Sequence, residues 1–165
     1  MENNASENLQ KLAEKINNIK TAMLVTAEQD GTLRARPMQT LKIEGNYLWF
    51  LTAINSPKSH EIRNESHVNL SFADESNKLY VSVSGVATVS RDRQKIDELW
   101  SEPFKAWFPE GKEDPNIAAI RVEITQAEYW DTPTSPVVHL IGYAKAVVTG
   151  EPYHPGDNEK INVTK

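Results

Sequence analysis

The residues of this chain best suited to chemistry lie between Arg34 and Lys58, in the stretch RARPMQTLKIEGNYLWFLTAINSPK. Arg34 and Arg36 precede Pro37-Met38, and Ser56-Pro57-Lys58 opens a predicted helix. Serine is a favoured N-cap, and proline suits the first helical position. A helix start leaves backbone N–H groups without acceptors, so a lysine on its first turn and an arginine from a neighbouring strand would complete a phosphate site. Taken singly, each cation reads as a solvated charge at a strand end. Taken with the Ser56 hydroxyl and the exposed backbone around Pro37-Met38, they read equally well as a ligand site. Met38-Gln39 and Leu51-Thr52 would add backbone donors and acceptors along the edge of a planar polar ring. On this reading the stretch holds the phosphate of a flat cofactor, and the rest of the chain completes the pocket.

Other chemistries fail on spacing. The four histidines, His60, His67, His139 and His154, share no metal-ligand spacing. His60-Glu61 begins like a zincin motif, but Asn64 stands where the second histidine is required. Ser84 has Ser82 and Val86 where a nucleophile elbow needs glycines. No Gly-x-Gly or P-loop pattern occurs. The absence of cysteine removes disulfides, thiol catalysis and thiolate metal sites together. Trp130, followed by Asp131-Thr132-Pro133, closes a predicted strand at a rim. An aromatic there is either a lid on the core or a stacking face for a flat ligand. Trp100 and Trp107 read as core or subunit interface, and Tyr80 and Tyr129 as ordinary strand residues.

Composition narrows the classes further. A formal net charge of −5 argues against a general nucleic-acid binder, which needs a surplus of Lys and Arg on one face. Any phosphate must therefore be met by a local cluster. A length of 165 residues fits one domain, 1–165, with a core that needs no staples. The N-terminal MENNASENLQ lacks an apolar signal core. No apolar run reaches the roughly 20 residues of a membrane-spanning helix, so a cytoplasmic location is expected.

The elements that must position the candidate site follow from periodicity. Leu9, Leu12, Ile16 and Ile19 predict an amphipathic helix from about Ala5 to Lys20, with Asn4 and Glu7 as a capping box. Ala22 to Ala27 reads as a buried strand, and Gln29-Asp30-Gly31-Thr32 as a tight hairpin turn. Leu33 to Ile43 reads as a second strand broken by Pro37, at an edge or a bulge. After a turn at Glu44-Gly45-Asn46, Tyr47 to Thr52 is continuously apolar, and a short helix should run from Pro57 to about Asn64. His67 to Ala73 and Leu79 to Ser90 alternate as strands, with Gly85 marking a bulge. Arg91 to Phe108 reads as a helix kinked or split by Pro103, with Ile96, Leu99, Trp100, Phe104 and Trp107 on one stripe. Ala118 to Trp130 is a last long strand, and Val137 to Val148 an apolar segment of open assignment. Short strands closed by a few helices imply an antiparallel barrel.

The runs RARPMQTLK, LWFLTAINSPKSHEIRNESHVNLSFAD, YVSVSGVATVSRD and AEYWDTP, with a late GDNEK, occur in that order. In this the chain resembles the general stress protein branch of the pyridoxamine 5′-phosphate oxidase-like, FMN-binding split-barrel superfamily. The resemblance implies a mainly β, six-stranded antiparallel split barrel with flanking helices, and a homodimer with FMN at the subunit interface. By position, Arg36, Ser56 and Lys58 would serve the FMN phosphate. Pro37, Met38, Gln39, Leu51 and Thr52 would run beside the flavin ring, and Trp130 would approach from the partner subunit. Tyr80 departs from the family pattern, falling near where the oxidases place a glutamine contact. The oxidases themselves also end in an arginine–histidine signature, whereas no arginine follows Arg121 here. The resemblance thus implies a flavin-dependent oxidoreductase of unknown substrate, or a flavin-binding or redox-sensing module without turnover, and not a vitamin B6 oxidase. Related barrels that take deazaflavin or haem are rivals, and haem would need an axial ligand that only His60 is placed to supply.

Overall fold

The computed structural model describes residues 2–134, 136–154 and 156–163. Helix α1 (Glu2–Ile16) leads into β1 (Thr21–Ala27), β2 (Leu33–Gln39), β3 (Lys42–Glu44) and β4 (Tyr47–Ala53). Then come α2 (Pro57–Asn64), β5 (His67–Asp74), β6 (Leu79–Ser90), α3 (Arg93–Leu99), β7 (Ile117–Asp131), α4 (Pro136–Thr149) and β8 (Asp157–Asn162). The strands form one sheet in the order β2-β1-β5-β6-β7-β4-β3, with β8 added to β7 and neighbouring strands antiparallel. The class agrees with the expectation, although eight strands replace six.

The sheet must roll up. Laid flat, seven strands at about 4.8 Å spacing would put β2 and β3 roughly 29 Å apart. Yet only Thr40-Leu41 joins them, and two residues span about 11 Å. The Thr40 amide donates to Lys20 O (2.9 Å) and the Leu41 amide to Trp49 O (3.0 Å), so this connection stitches one edge to the other. The inner face carries Leu24, Leu48, Phe50, Leu70, Phe72, Val83, Ile120 and Val122, and Leu12 and Ile16 of α1 join the same cluster. β4 is apolar from Tyr47 to Leu51 because its other face is covered too: Trp49 packs with Ile96, Leu99, Phe108, Ile117 and Ala119.

Local chemistry explains most boundaries. Gly31 turns the first hairpin at φ +85°, which costs glycine little, and the Asp30 carboxylate accepts from the Thr32 amide. The predicted bulge lies where expected, but the extra residue is Thr125 of β7: Ser84 pairs with Gln126 and Gly85 with Ile124. It moves the buried positions of β7 from Ile120, Val122 and Ile124 to Ala127 and Tyr129. Gly85 is required there, since a Cβ would stand 2.4 Å from Glu123 O.

Other expectations need correction. α1 begins at Glu2, so Asn4 lies inside the helix and is no cap, and the helix ends at Ile16. Pro37 does not break β2: it pairs with Met23 on an edge strand, where its missing N–H costs no ladder bond, and the strand continues to Gln39. The helix predicted from Arg91 ends at Leu99. A 3-10 turn over Glu102–Ala106 follows because Pro103 cannot continue the ladder, and this swings Trp107 out to 72% exposure. The segment of open assignment is α4, which presents Leu140, Ile141, Tyr143 and Val147 to solvent. Among the described residues no helix is long and apolar enough to cross a membrane.

Candidate functional site

The start of α2 is built as its sequence requires. The Ser56 hydroxyl caps the Ser59 amide (3.4 Å) and lies 3.2 Å from Thr52 Oγ1 and 2.9 Å from Ser59 Oγ. The Ser59 hydroxyl donates in turn to Ala53 O (2.8 Å), which fixes the helix against the end of β4. Pro57 has no amide to satisfy, so the Lys58 amide is the one of the first turn left without a partner among the described residues.

Arg36 faces this helix start from β2. It pairs with Leu24 in the β1–β2 ladder and therefore lies on the inward side, where neighbouring strands place apolar residues. Its charge is met there by two groups. Nη1 donates to the Thr26 hydroxyl and Nη2 to Glu61 Oε2 (2.7 Å), while the Thr26 hydroxyl donates to the same carboxylate oxygen. The Arg36 side chain is 20% exposed and that of Glu61 9%. Burial pushes the Glu61 carboxyl up, but hydrogen bonds from Thr26 and Arg36 and the charges of Arg36 and Arg34 outweigh it, holding the carboxyl below its ordinary range.

Lys58 is the contrasting cation. It is half-buried and forms no ion pair among the described residues. Burial and then the charge of Arg36 push its ammonium down, against an opposing pull from Glu61. Arg34 is more exposed and pairs with Glu28 at 3.2 Å. Arg34, Ala35, Arg36, Pro57 and Lys58 line a cleft of about 180 Å³. With the Arg34–Glu28 and Arg36–Glu61 pairs cancelling, Lys58 leaves the cleft one net positive charge, and Arg36 retains N–H donors beyond the two used. A cation without a counter-ion beside an uncapped amide and a fixed guanidinium fits a phosphate.

A seam leads away from this cleft. β2 is an edge strand, and β3 covers β4 only from Tyr47 to Trp49, so Phe50 to Ala53 have no strand on that side. The two open edges diverge from the Leu41–Trp49 hydrogen bond, and α2 spans their far end through Arg36 and Glu61. Pro37, Gln39 and Leu51 turn their backbones toward this wedge, whereas the Thr52 backbone pairs with Ala118 of β7 and only its hydroxyl, 3.2 Å from Ser56 Oγ, reaches the helix start. Met38 instead turns its side chain into the main core. Thr40 stands at the vertex, and its buried Oγ1 has no partner among the described residues. Such a group calls for a partner from water or a ligand.

The structure thus brings Arg36, Ser56, Lys58 and the two strand edges together. Trp130 is not brought to them within one chain. Thr52 pairs with Ala118, and Trp130 lies twelve residues farther along β7, about 40 Å of extended strand. Trp130 is 42% exposed on the outward face beside Tyr80, while Tyr129 is buried. The sequence reading missed Thr26, Thr40 and Glu61. A threonine in an apolar strand and a lone glutamate on a short helix carry no signal of their own. The one clue was a polar Thr26 among the alternate positions that otherwise hold Ala22 and Leu24. Among the described residues no group of three or more His, Cys, Asp or Glu could hold a metal.

Comparisons with known proteins agree with this architecture. The protein bli-3 of Neurospora crassa is 30% identical over 159 residues, covering 86% of this chain and 76% of that protein. A general stress protein 26 from Jannaschia sp. CCS1 shares the fold at 23% identity, with a TM-score of 0.73 over 94% of this chain and 98% of that one. A general stress FMN/FAD binding protein from Xanthomonas citri is 29% identical, with a TM-score of 0.67 over 78% of this chain and 92% of that one. The family described as pyridoxamine 5′-phosphate oxidase like matches residues 7–154. With that match across most of its length, the chain belongs to the pyridoxamine 5′-phosphate oxidase-like family of split barrels.

Proposed function

We propose that this protein is a cytoplasmic, single-domain FMN-binding homodimer of the general stress type, acting as a flavin-dependent oxidoreductase. The observation that carries this reading is Lys58, a half-buried cation that forms no ion pair among the described residues, at the end of a seam between two open strand edges. Arg36, Ser56 and Lys58 hold the phosphate. The backbones of Pro37, Met38, Gln39, Leu51 and Thr52 run beside the ring, and Trp130 of the partner subunit completes the site. That an FMN/FAD binding protein of Xanthomonas citri shares the fold supports a flavin, and FMN is the one proposed. When bound, the flavin supplies the redox chemistry, while the protein supplies position, electrostatics and access. Pyridoxamine phosphate is not the substrate proposed, because no arginine follows Arg121 to grip a second phosphate.

A specific observation favours a second reading, a flavin-binding or redox-sensing module without turnover. The carboxylate at the cleft, Glu61, is tied to Arg36 and Thr26 and so is not poised to move a proton. The visible spectrum of the purified protein, recorded before and after adding FMN and then NADH or NADPH, separates the two. A flavin spectrum that bleaches with the nicotinamide supports the oxidoreductase, and bound flavin that stays oxidised supports the module. No bound flavin at saturation overturns both.

A further inference from the structure

We infer that Glu61 is a positioning residue for the phosphate site, holding the Arg36 guanidinium in place through a closed ring with Thr26. This rests on the assignment of the Arg36–Lys58 cleft to a phosphate. Three observations carry it. The three side chains form a cycle: Arg36 donates to both Thr26 and Glu61, and the Thr26 hydroxyl donates a hydrogen bond to Glu61. The two anchors of the cycle are buried, Thr26 at 0% and Glu61 at 8% exposure, while Arg36 lines the cleft, so the guanidinium is held from its inner side. The cycle also links three elements, β1, β2 and α2, and Lys58 projects from the same helix one turn before Glu61. An arginine on an edge strand has many rotamers, and ordering it on binding weakens affinity. Here two of its N–H groups are already held, and the others are left for an incoming anion.

The test is the ratio of FMN to riboflavin affinity, which isolates the phosphate because the two ligands share the ring. In the wild type FMN should bind much more tightly. Glu61→Ala should reduce the ratio by about 10-fold or more, the scale of one hydrogen bond to a charged group. Glu61→Gln, which keeps an acceptor for Nη2 without the charge, should hold the ratio within roughly threefold of the wild type, since geometry is what Glu61 supplies. Should Glu61→Ala fail to fold, Glu61→Leu, which keeps volume but removes every acceptor for Arg36, should lower the ratio as well. An unchanged ratio in Glu61→Ala or Glu61→Leu, with only thermal stability lost, would make Glu61 a structural tie and overturn the proposal. A higher ratio in Glu61→Ala would make it a competing anion and overturn it equally. A wild-type ratio near one would instead remove the phosphate site itself, a failure distinguishable from the other two.

Discussion

Replacing Lys58 with alanine separates phosphate binding from stability. The ammonium makes no ion pair among the described residues, and burial followed by the Arg36 charge pushes it down. A lysine whose folded pKa lies below its unfolded value opposes folding in full below the folded value, and that opposition fades as pH rises from the folded to the unfolded value. At neutral pH Lys58→Ala should therefore leave the melting temperature unchanged or slightly higher. Binding should respond in the opposite way. A charge-assisted hydrogen bond to the phosphate contributes about 1.5–3 kcal/mol, or about 10–150-fold in Kd. Riboflavin, lacking the phosphate, should bind the variant as it binds the wild type. Arg36→Ala supplies the contrast, because it strands the buried Glu61 carboxylate. Breaking a buried pair in this way costs about 3–5 kcal/mol, a fall on the order of 10 °C in a chain of this size. Flavin-fluorescence titrations with FMN and riboflavin, beside thermal denaturation, read both quantities. Equal loss of FMN and riboflavin affinity in Lys58→Ala would refute the phosphate assignment, as would no loss at all.

Three further outcomes follow from particular contacts. Gly85→Ala should destabilise by about 1–3 kcal/mol or more by forcing backbone apart at the bulge, because the new Cβ would meet Glu123 O and Val122 Cγ1. An unchanged thermal midpoint would show that β6 and β7 can separate there freely. Tyr129→Phe removes the hydroxyl that donates to Glu159 at 2.6 Å beneath Lys11 and Lys15 of α1. It should cost about 0.5–1.5 kcal/mol, read by urea denaturation, and a neutral result would mean that water replaces the bond. Since the Glu61 carboxyl is held below its ordinary range, its contribution is fully present above the unfolded glutamate pKa and is lost as pH falls through the folded value. The urea midpoint should therefore drop below about pH 4–5 and Glu61→Gln should flatten that acid limb; an equally steep limb in the variant would count against the Arg36–Glu61 pair.

What the chain states locally, it states well. Asp30-Gly31 specifies a turn because only glycine takes φ +85° cheaply, and Ser56-Pro57 specifies a helix start because a hydroxyl can cap it and proline has no amide to lose. The alternation of His67–Asp74 and Leu79–Ser90 sets which residues face the core, since side chains on a strand point to opposite sides in turn. These rules act within a few residues, so they are legible without the fold, and they bring Arg36 and Lys58 forward as candidates.

Partnership across the chain is a different matter. Nothing local says that β8 returns to β7, that Thr125 rather than Gly85 is the extra residue at the bulge, or that the apolar Val137–Val148 stretch is helical. Nor does local pattern distinguish Glu61, which alone reads as a solvated charge on a short helix. Rolling the sheet places α2 against β1 and β2, and only then does Glu61 meet Arg36 and Thr26, twenty-five and thirty-five residues away in sequence. The same rolling leaves the edges of β2 and β4 open toward each other. The sequence by itself determined the cations and the turn that presents them. Tertiary packing decided which cation is neutralised and which stays free, because charges interact through space and burial, and both are set by the whole fold.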